Sequence, residues 1–354
     1  MKIKDILQIK YGKNQSSVIH ENGKYPIIGT GGIFGYATKY LYNKPSVLIG
    51  RKGSINNPIY VDIPFWTIDT LFYTIIDTSK VIPRWFYYYI STLNLNKFNE
   101  GTTIPSLTTK TLYEIDVPEH SLNYQQHIVD IIGSLDDKIE NNNKIIIKLE
   151  ELLNLKFKNI YNDALKTGIT INLNDIVNFK TGKKDANAAN ENGIYPFFTC
   201  SEKESNIDVY SFNQEAILIA GNGNMSVKYY KGKFDAYQRT YVISSSKYFY
   251  YLYLYYKNFI GDISVGAKGS VIKFLTKSML LDIDLPILDN ITMQRFESNI
   301  QKILNYELRL SEENKKLNLL KEKYLKRFFW FLYFINYVQR NNWYYRKFGW
   351  QDRK

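Results

Sequence analysis

The sequence predicts an α+β fold in which two similar strand-rich globules are separated by two long antiparallel coiled-coil helices, related by an internal pseudo-twofold repeat. Two observations predict it. The chain says nearly the same thing twice: the run Asp5 to Lys13, DILQIKYGK, returns as DIVNFKTGK from Asp175 to Lys183, an offset of 175 − 5 = 170. At the same offset Glu21-Asn22-Gly23 and Tyr25-Pro26 return as Glu191-Asn192-Gly193 and Tyr195-Pro196, Leu48-Ile49 as Leu218-Ile219, and Gly53 as Gly223. Ile115-Asp116-Val117-Pro118 recurs as Ile283-Asp284-Leu285-Pro286, and Gln126 matches Gln294, both offset by 168. Solenoid repeats run about 20–50 residues, so each copy here has the size of a domain plus a helix. The second observation is a change of hydrophobic period after each copy.

The elements follow in order. Residues 1–120 read as the first globule. Ser46 to Ile49 and Leu71 to Ile76 are β-branched and aromatic runs bounded by turn residues. Gly29-Thr30-Gly31-Gly32 and Gly50-Arg51-Lys52-Gly53 supply turns, and Pro83 to Leu93 a short helix. Residues 121–166 read as a long helix. Ile128, Leu135, Asn142 and Leu149 fall seven apart, as do Ile132, Ile139, Ile146, Leu153 and Ile160, the a/d seam of a helix packed on another helix. At 1.5 Å per residue the stretch from Ile128 to Ile160 spans roughly 50 Å. Asn142 is either a buried amide that fixes register or a surface residue at a frayed position.

Residues 167–290 repeat the strand-rich texture, with turns at Gly221-Asn222-Gly223-Asn224 and Gly266-Ala267-Lys268-Gly269. Residues 291–329 carry a second heptad line, Phe296, Ile303, Leu310, Leu317 and Tyr324, whose companion line is interrupted by Glu307, Asn314 and Lys321. The simplest packing sets the two helices antiparallel as a ruler with the globules at its ends. Residues 330–354 stand outside the repeat, with Trp330, Trp343 and Trp350 among Arg340, Arg346, Lys347, Arg353 and Lys354. An extra helix, a binding tail and a frame-altered end of the gene are equally open readings of it.

Composition narrows the function. A net charge of +12 over 354 residues suits a polyanionic partner, because Lys and Arg that neutralise phosphates release counterions. Cys200 is the only cysteine, which excludes an intrachain disulfide and a cysteine-rich zinc site and fits a reducing, cytoplasmic setting. No leader is expected from Met1-Lys2-Ile3-Lys4, and no stretch reads as a membrane span. Catalytic signatures are weak. Asn57-Pro58-Ile59-Tyr60 is a near miss to an amino-methyltransferase loop and reads as a turn. Gly29 to Gly32 lacks the βαβ context of a dinucleotide site. His20, His120 and His127 are scattered, with His127 read as a surface residue. Asp136, Asp137 and Glu140 read as a solvated helix face. The chain alone is expected to be no enzyme and to hold no metal or cofactor.

At the proline–glutamine–helix junction a family resemblance emerges. Pro118, Gln125-Gln126-His127-Ile128, Ser134 to Glu140, and Leu149-Glu150-Glu151-Leu152 resemble the first conserved region of type I restriction–modification specificity subunits. The openings Asp5 to Lys13 and Asp175 to Lys183, with Tyr25-Pro26 and Tyr195-Pro196, resemble the starts of that family's target recognition domains, and the likeness runs from residue 1 to about 329. The resemblance implies that each globule reads one half of a split double-stranded DNA target. It implies that the helices form the spacer and dock two methyltransferase subunits. S-adenosylmethionine, and ATP with Mg for any restriction and translocation, would then sit on partner subunits. The chain departs from the family pattern at its less regular second helix and its tail. The alternatives are a stand-alone DNA-binding module and a coiled-coil protein adaptor without methyltransferase partners.

Candidate DNA contacts sit on matching loops: Lys10 and Lys13 with Lys180 and Lys183, and Arg51-Lys52 with Gly221, Asn222 and Asn224. Arg239 is a further base-reading candidate and Lys268 a phosphate contact. Arg and Lys suit guanine, Asn and Gln suit adenine, and phosphate contacts only position. The helix-packing candidates are Ile128, Ile132, Leu135, Ile139, Asn142, Ile146, Leu149, Leu153, Ile303, Leu310 and Leu317.

Overall fold

The glycines shared by the two copies fix the same backbone path twice. In the computed structural model, which describes residues 1–223, 225–265 and 274–330, a Cβ on Gly12 would overlap the Ile68 carbonyl oxygen, and one on Gly182 the Ala236 carbonyl oxygen. Gly53 and Gly223 adopt φ of +82° and +69°, the left-handed region that favours glycine. The chain falls into two units. The first comprises Met1–Asn141 with the chain from Glu313, and the second Asn142–Glu312.

The first unit contains β1 (Leu7–Tyr11), β2 (Tyr25–Gly29), β3 (Gly32–Ala37), β4 (Ser46–Gly50), β5 (Ile59–Val61), β6 (Trp66–Thr67) and β7 (Leu71–Ile76). Helices α1 (Pro83–Ser91) and α2 (Thr109–Tyr113) follow, then the start of α3 (Leu122–Thr167), which ends in the second unit. One sheet has the order β1-β7-β4-β5, all antiparallel; the other has the order β3-β2-β6, with β2 and β6 parallel. The core lies between the first sheet and the helices. Trp85, Phe86 and Tyr88 of α1 are buried with Phe72 of β7, Ile128 and Ile132 of α3, and Phe328 and Phe329. Burying each such side chain contributes about 2–3 kcal/mol. Helix α1 has proline at its first position and no side-chain cap of its own. Its first free amide, Ile82 N–H, donates instead to Gln125 Oε1 of α3 at 2.8 Å. Gln125 Nε2 donates to the Lys80 and His120 carbonyls, so this fully buried amide is satisfied on both sides.

The second unit contains β8 (Thr170–Asn172), α4 (Leu173–Ile176), β9 (Val177–Thr181), β10 (Tyr195–Phe198), β11 (Ser205–Ile207), β12 (Phe212–Ala220), β13 (Val227–Ala236) and β14 (Thr240–Ser245). Then come α5 (Phe249–Val265), α6 (Lys277–Leu281), β15 (Asp284–Pro286) and α7 (Asn290–Leu325), the last of which ends in the first unit. Its main sheet runs β11-β10-β13-β12-β14-β9, and β15 pairs with β8. Both units close the copy in the same way. Lys2 bridges Asp116 in the first, and Asn172 pairs with Asp284 in the second. Thr108 and Thr276 each cap the short helix before that pairing, accepting from Thr111 and Met279 N–H.

The two long helices meet antiparallel inside the first unit, where Asp136 reaches Lys321 and Lys138 reaches Glu313. Along α3, Ile128, Ile132, Asn142 and Leu153 are buried, and Leu135, Ile139, Ile146 and Leu149 half-buried. Asn142 is fully buried, so the surface reading of it does not hold. Along α7, Leu310 is buried while Ile303 and Leu317 are half-buried. The residues that interrupt the second heptad line are not breaks. Asn314 is buried, Glu307 half-buried, and Lys321 sits over the Tyr88 ring at 5.8 Å while pairing with Asp136 at 2.6 Å. Asp136 is therefore not a solvated residue: it also accepts from Tyr88 Oη at 2.8 Å, while its exposed neighbour Asp137 pairs with Arg84 at 2.6 Å.

Candidate nucleic-acid interface

In the first unit the turn after β4 is held by two other segments. Arg51 N–H donates to the Thr70 carbonyl at 2.8 Å, Gly53 N–H to the Pro105 carbonyl at 2.9 Å, and the Arg51 carbonyl accepts from Leu107 N–H at 2.9 Å. The Arg51 side chain is pinned as well. Its Nη1 donates to the Asp69 carbonyl at 2.9 Å, and its guanidinium lies 5.2 Å from the centre of the Tyr11 ring. Such a planar fork, fixed over an aromatic ring, loses little freedom on binding a planar acceptor pair. Lys13 joins the same rim, because Lys13 N–H donates to the Thr67 carbonyl and Trp66 Nε1 donates to the Lys13 carbonyl, both at 2.9 Å. Lys52 is exposed and bridges Ser106. Lys10 is not part of this group: it is exposed on β1, and strand alternation turns it to the face opposite Tyr11.

The second unit builds the same turn from different side chains. Gly221 stands where Arg51 stands, its N–H donating to the Arg239 carbonyl at 2.8 Å and its carbonyl accepting from Leu275 N–H at 2.9 Å. The arginine has moved to the facing strand, since Arg239 occupies the place of Thr70 and is exposed. Asn222 is half-buried and bridges Phe274. Lys183 is exposed just beyond Gly182, whose N–H donates to the Thr240 carbonyl, and Lys180 is exposed on β9 opposite Val242. Cys200 Sγ donates to the Arg239 carbonyl at 3.5 Å, placing the loop between β10 and β11 beside it. Lys228 anchors that loop through the Ser201 and Glu202 carbonyls, and burial pushes its pKa down. Asn224, Lys268 and residues 331–354 of the tail lie outside the described residues.

Sequence reasoning passed over Tyr11, Asp69, Thr70 and Lys228. Tyr11 carried a usable signal, as one of the two positions where the repeat IKYGK departs from FKTGK. The others are recognisable only from long-range backbone pairing. Other titratable groups are structural. His120 packs edge-on against Trp85, and burial pushes its pKa down. His20 Nδ1 accepts from Asn22 N–H, and His127 is exposed beside Tyr124. Among the described residues there is no cluster of three or more metal-ligating side chains, and no helix long and apolar enough to cross a membrane.

Comparison with known proteins gives a consistent result. The sequence profile described as Type I restriction modification DNA specificity domain matches residues 1–151 and 169–322. The chain is 42% identical over 122 residues to the EcoDI specificity subunit of a type I restriction enzyme from Escherichia coli, a stretch covering 33% of this chain and 27% of that subunit. It is 24% identical over 392 aligned positions to the MjaIX specificity subunit from Methanocaldococcus jannaschii, covering 91% of this chain and 89% of that one. The crystal structure of a type I restriction–modification S subunit from M. genitalium superposes with a TM-score of 0.70 at 19% identity, over 93% of this chain and 95% of that one.

Proposed function

We propose that this chain, which belongs to the family of type I restriction modification DNA specificity domains, is the sequence-recognition subunit of a type I restriction–modification complex. Each unit reads one half of a bipartite duplex target. The helices α3 and α7 set the spacer and dock methyltransferase subunits, which bring S-adenosylmethionine; restriction subunits would bring ATP and Mg. The chain itself supplies no catalysis. One observation carries the reading: the same backbone turn is built twice and bears different side chains, Arg51 in one unit and Gly221 with Arg239 opposite in the other. A reader of two unlike half-sites needs a constant frame with variable contacts.

Methylome sequencing of cells with and without the gene tests it, the expected result being loss of one bipartite methylated motif. Arg51→Ala should then relax specificity in one half only, at about 1–3 kcal/mol for a bidentate base contact. Equal weakening on all sequences would make Arg51 a phosphate contact. Inserting one heptad beside Asn142 should lengthen the unspecified spacer and leave both half-sites unchanged; an unaltered spacer rejects the helices as its determinant.

A further inference from the structure

Resting on that reading, we infer that the first unit recognises thymine in its half of the target through the 5-methyl group, using an apolar rim of Phe34 and Ile104 around the Arg51 turn. Phe34 is 50% exposed and Ile104 58% exposed, so the apolar surface of both is open to a ligand. Both belong to the turn's surroundings. The Ile104 segment is tied to it through the Gly53 N–H to Pro105 carbonyl bond and the Lys52–Ser106 bridge. The Phe34 ring and the Ile68 side chain flank Gly29 together, and Ile68 precedes Asp69, whose carbonyl holds the Arg51 guanidinium.

The rim is charged as well as apolar. Arg51, Lys52 and Lys13 lie on the segments that carry it, against the exposed carboxylates of Asp69 and of Glu100, whose N–H donates to the Ser106 carbonyl. That balance favours DNA over an apolar protein partner. In the major groove the thymine methyl is the apolar feature a base edge offers, and it stands beside the acceptors and donors that polar side chains read. At the loop matching Phe34 the second unit presents Ser201, Glu202, Lys203 and Glu204, all exposed and none apolar, and Phe274, 50% exposed against Asn222, is the apolar side chain described at its turn. The pairing of Phe34 with Ile104 belongs to the first unit, and methyl readout is assigned there.

The test uses the assembled complex and duplexes carrying the mapped target, with thymines of one half replaced by deoxyuridine, which removes only the methyl. The half belonging to the first unit is the one that Arg51→Ala relaxes. There, each contacted thymine changed to deoxyuridine should weaken binding about three- to fivefold, the equivalent of one apolar methyl contact. Substitution in the other half should change nothing at this rim. Phe34→Ala or Ile104→Ala should bind the thymine and deoxyuridine duplexes equally. Both side chains are exposed, so melting curves of the variants should match the parent. Equal binding of both duplexes by the parent, or a first-unit half without thymine, overturns the inference and leaves DNA recognition standing. If the variants lose partner subunits but keep the deoxyuridine effect, the rim is a protein-docking surface and the inference is wrong. Failure of the complex to bind the target duplex at all rejects the functional reading itself.

Discussion

The two units make the same contacts with different lengths of chain. In the first, β5 pairs antiparallel with β4 and the separate β6 pairs parallel with β2. In the second, the single strand β13 does both, antiparallel to β12 through Ala216–Tyr230 and parallel to β10 through Phe197–Asp235. The interruption is Asp62-Ile63-Pro64-Phe65. Proline has no amide hydrogen for a ladder and biases its predecessor's backbone, so the first unit shows two sheets where the second shows one. A change that looks topological comes from four residues. The path before and after is held by backbone geometry at the shared glycines, and side chains are free to diverge around it.

The helix pair diverges at matched positions as well. With the 168-residue offset, Asp136 corresponds to Leu304, and Leu153 to Lys321. In the first unit the pair is ionic, Asp136 with Lys321, each about a fifth exposed; in the second, Leu153 and Leu304 belong to one apolar cluster. The caps of α1 and α5 differ likewise. Gln125 accepts from one amide, Ile82 N–H, whereas Glu297 accepts from Tyr250 and Tyr251 N–H at 3.0 and 2.7 Å. Glu297 corresponds to Val129, one helical turn past Gln125, so the same task is met from an adjacent turn.

The largest expected effect breaks the shared path. Gly12→Ala and Gly182→Ala should each destabilise their unit by about 3 kcal/mol, because the new methyl meets a backbone carbonyl and not a yielding side chain. Chemical denaturation measures it. If one is tolerated and the other is not, the two paths are not equivalent.

Next comes the ionic pair. Asp136→Leu alone should cost about 2 kcal/mol, since it leaves the Lys321 ammonium and the Tyr88 O–H of the helix seam without their acceptor. Combining it with Lys321→Leu recreates the pairing of the second unit and should recover most of that loss. A double-mutant cycle with no coupling would mean that the two ends of the helix pair are not interchangeable in this way.

Gln125→Ala should cost about 1.5 kcal/mol by leaving Ile82 N–H and the His120 and Lys80 carbonyls without their partner. Gln125→Glu, which imitates the carboxylate of Glu297, should keep the Ile82 bond and lose those to the two carbonyls. An alanine variant as stable as the parent would show that α1 needs no external cap.

Much of this was legible in the chain, for reasons that particular residues make clear. The duplication showed through Gly12 and Gly23, where a side chain would strike backbone, and through Gly53, whose positive φ favours glycine, because each constraint recurs in both copies. The first long helix showed through its seam because Ile128, Ile132 and Leu153 face one way at heptad spacing. Helix α5 did not show: Phe249 to Leu254 are buried at every successive position, which erases the amphipathic period. Lys321 and Glu307 read as interruptions because a heptad pattern reports polarity and not the partner that meets it. The DNA-contact candidates were read from the sequence where a loop lies next to its own glycines. Arg239 was set beside Gly221 only by strand pairing, and Tyr11 beneath Arg51 only by folding.

The smallest effect concerns pH and separates the helix seams of the two units. Glu307 of α7 is half-buried near Lys257, which pairs with Glu150 at 3.0 Å, and its Oε2 has no hydrogen-bond partner among the described residues. Burial raises its pKa above the ordinary 4.5; Glu150 adds to the rise and Lys257 opposes it. The folded state therefore binds this proton more tightly than the unfolded chain. The stability it contributes is present below about pH 4.5 and declines as pH rises through the raised value. Glu307→Gln removes that decline, so the variant should gain about 1 kcal/mol over the parent at pH 7 and nothing at pH 4. Melting temperatures of the two proteins across that range measure the gap. A gap that is constant with pH would mean that the Glu307 carboxylate is as well solvated as an exposed one, and that the seam of the second unit tolerates charge as readily as the Asp136–Lys321 seam of the first.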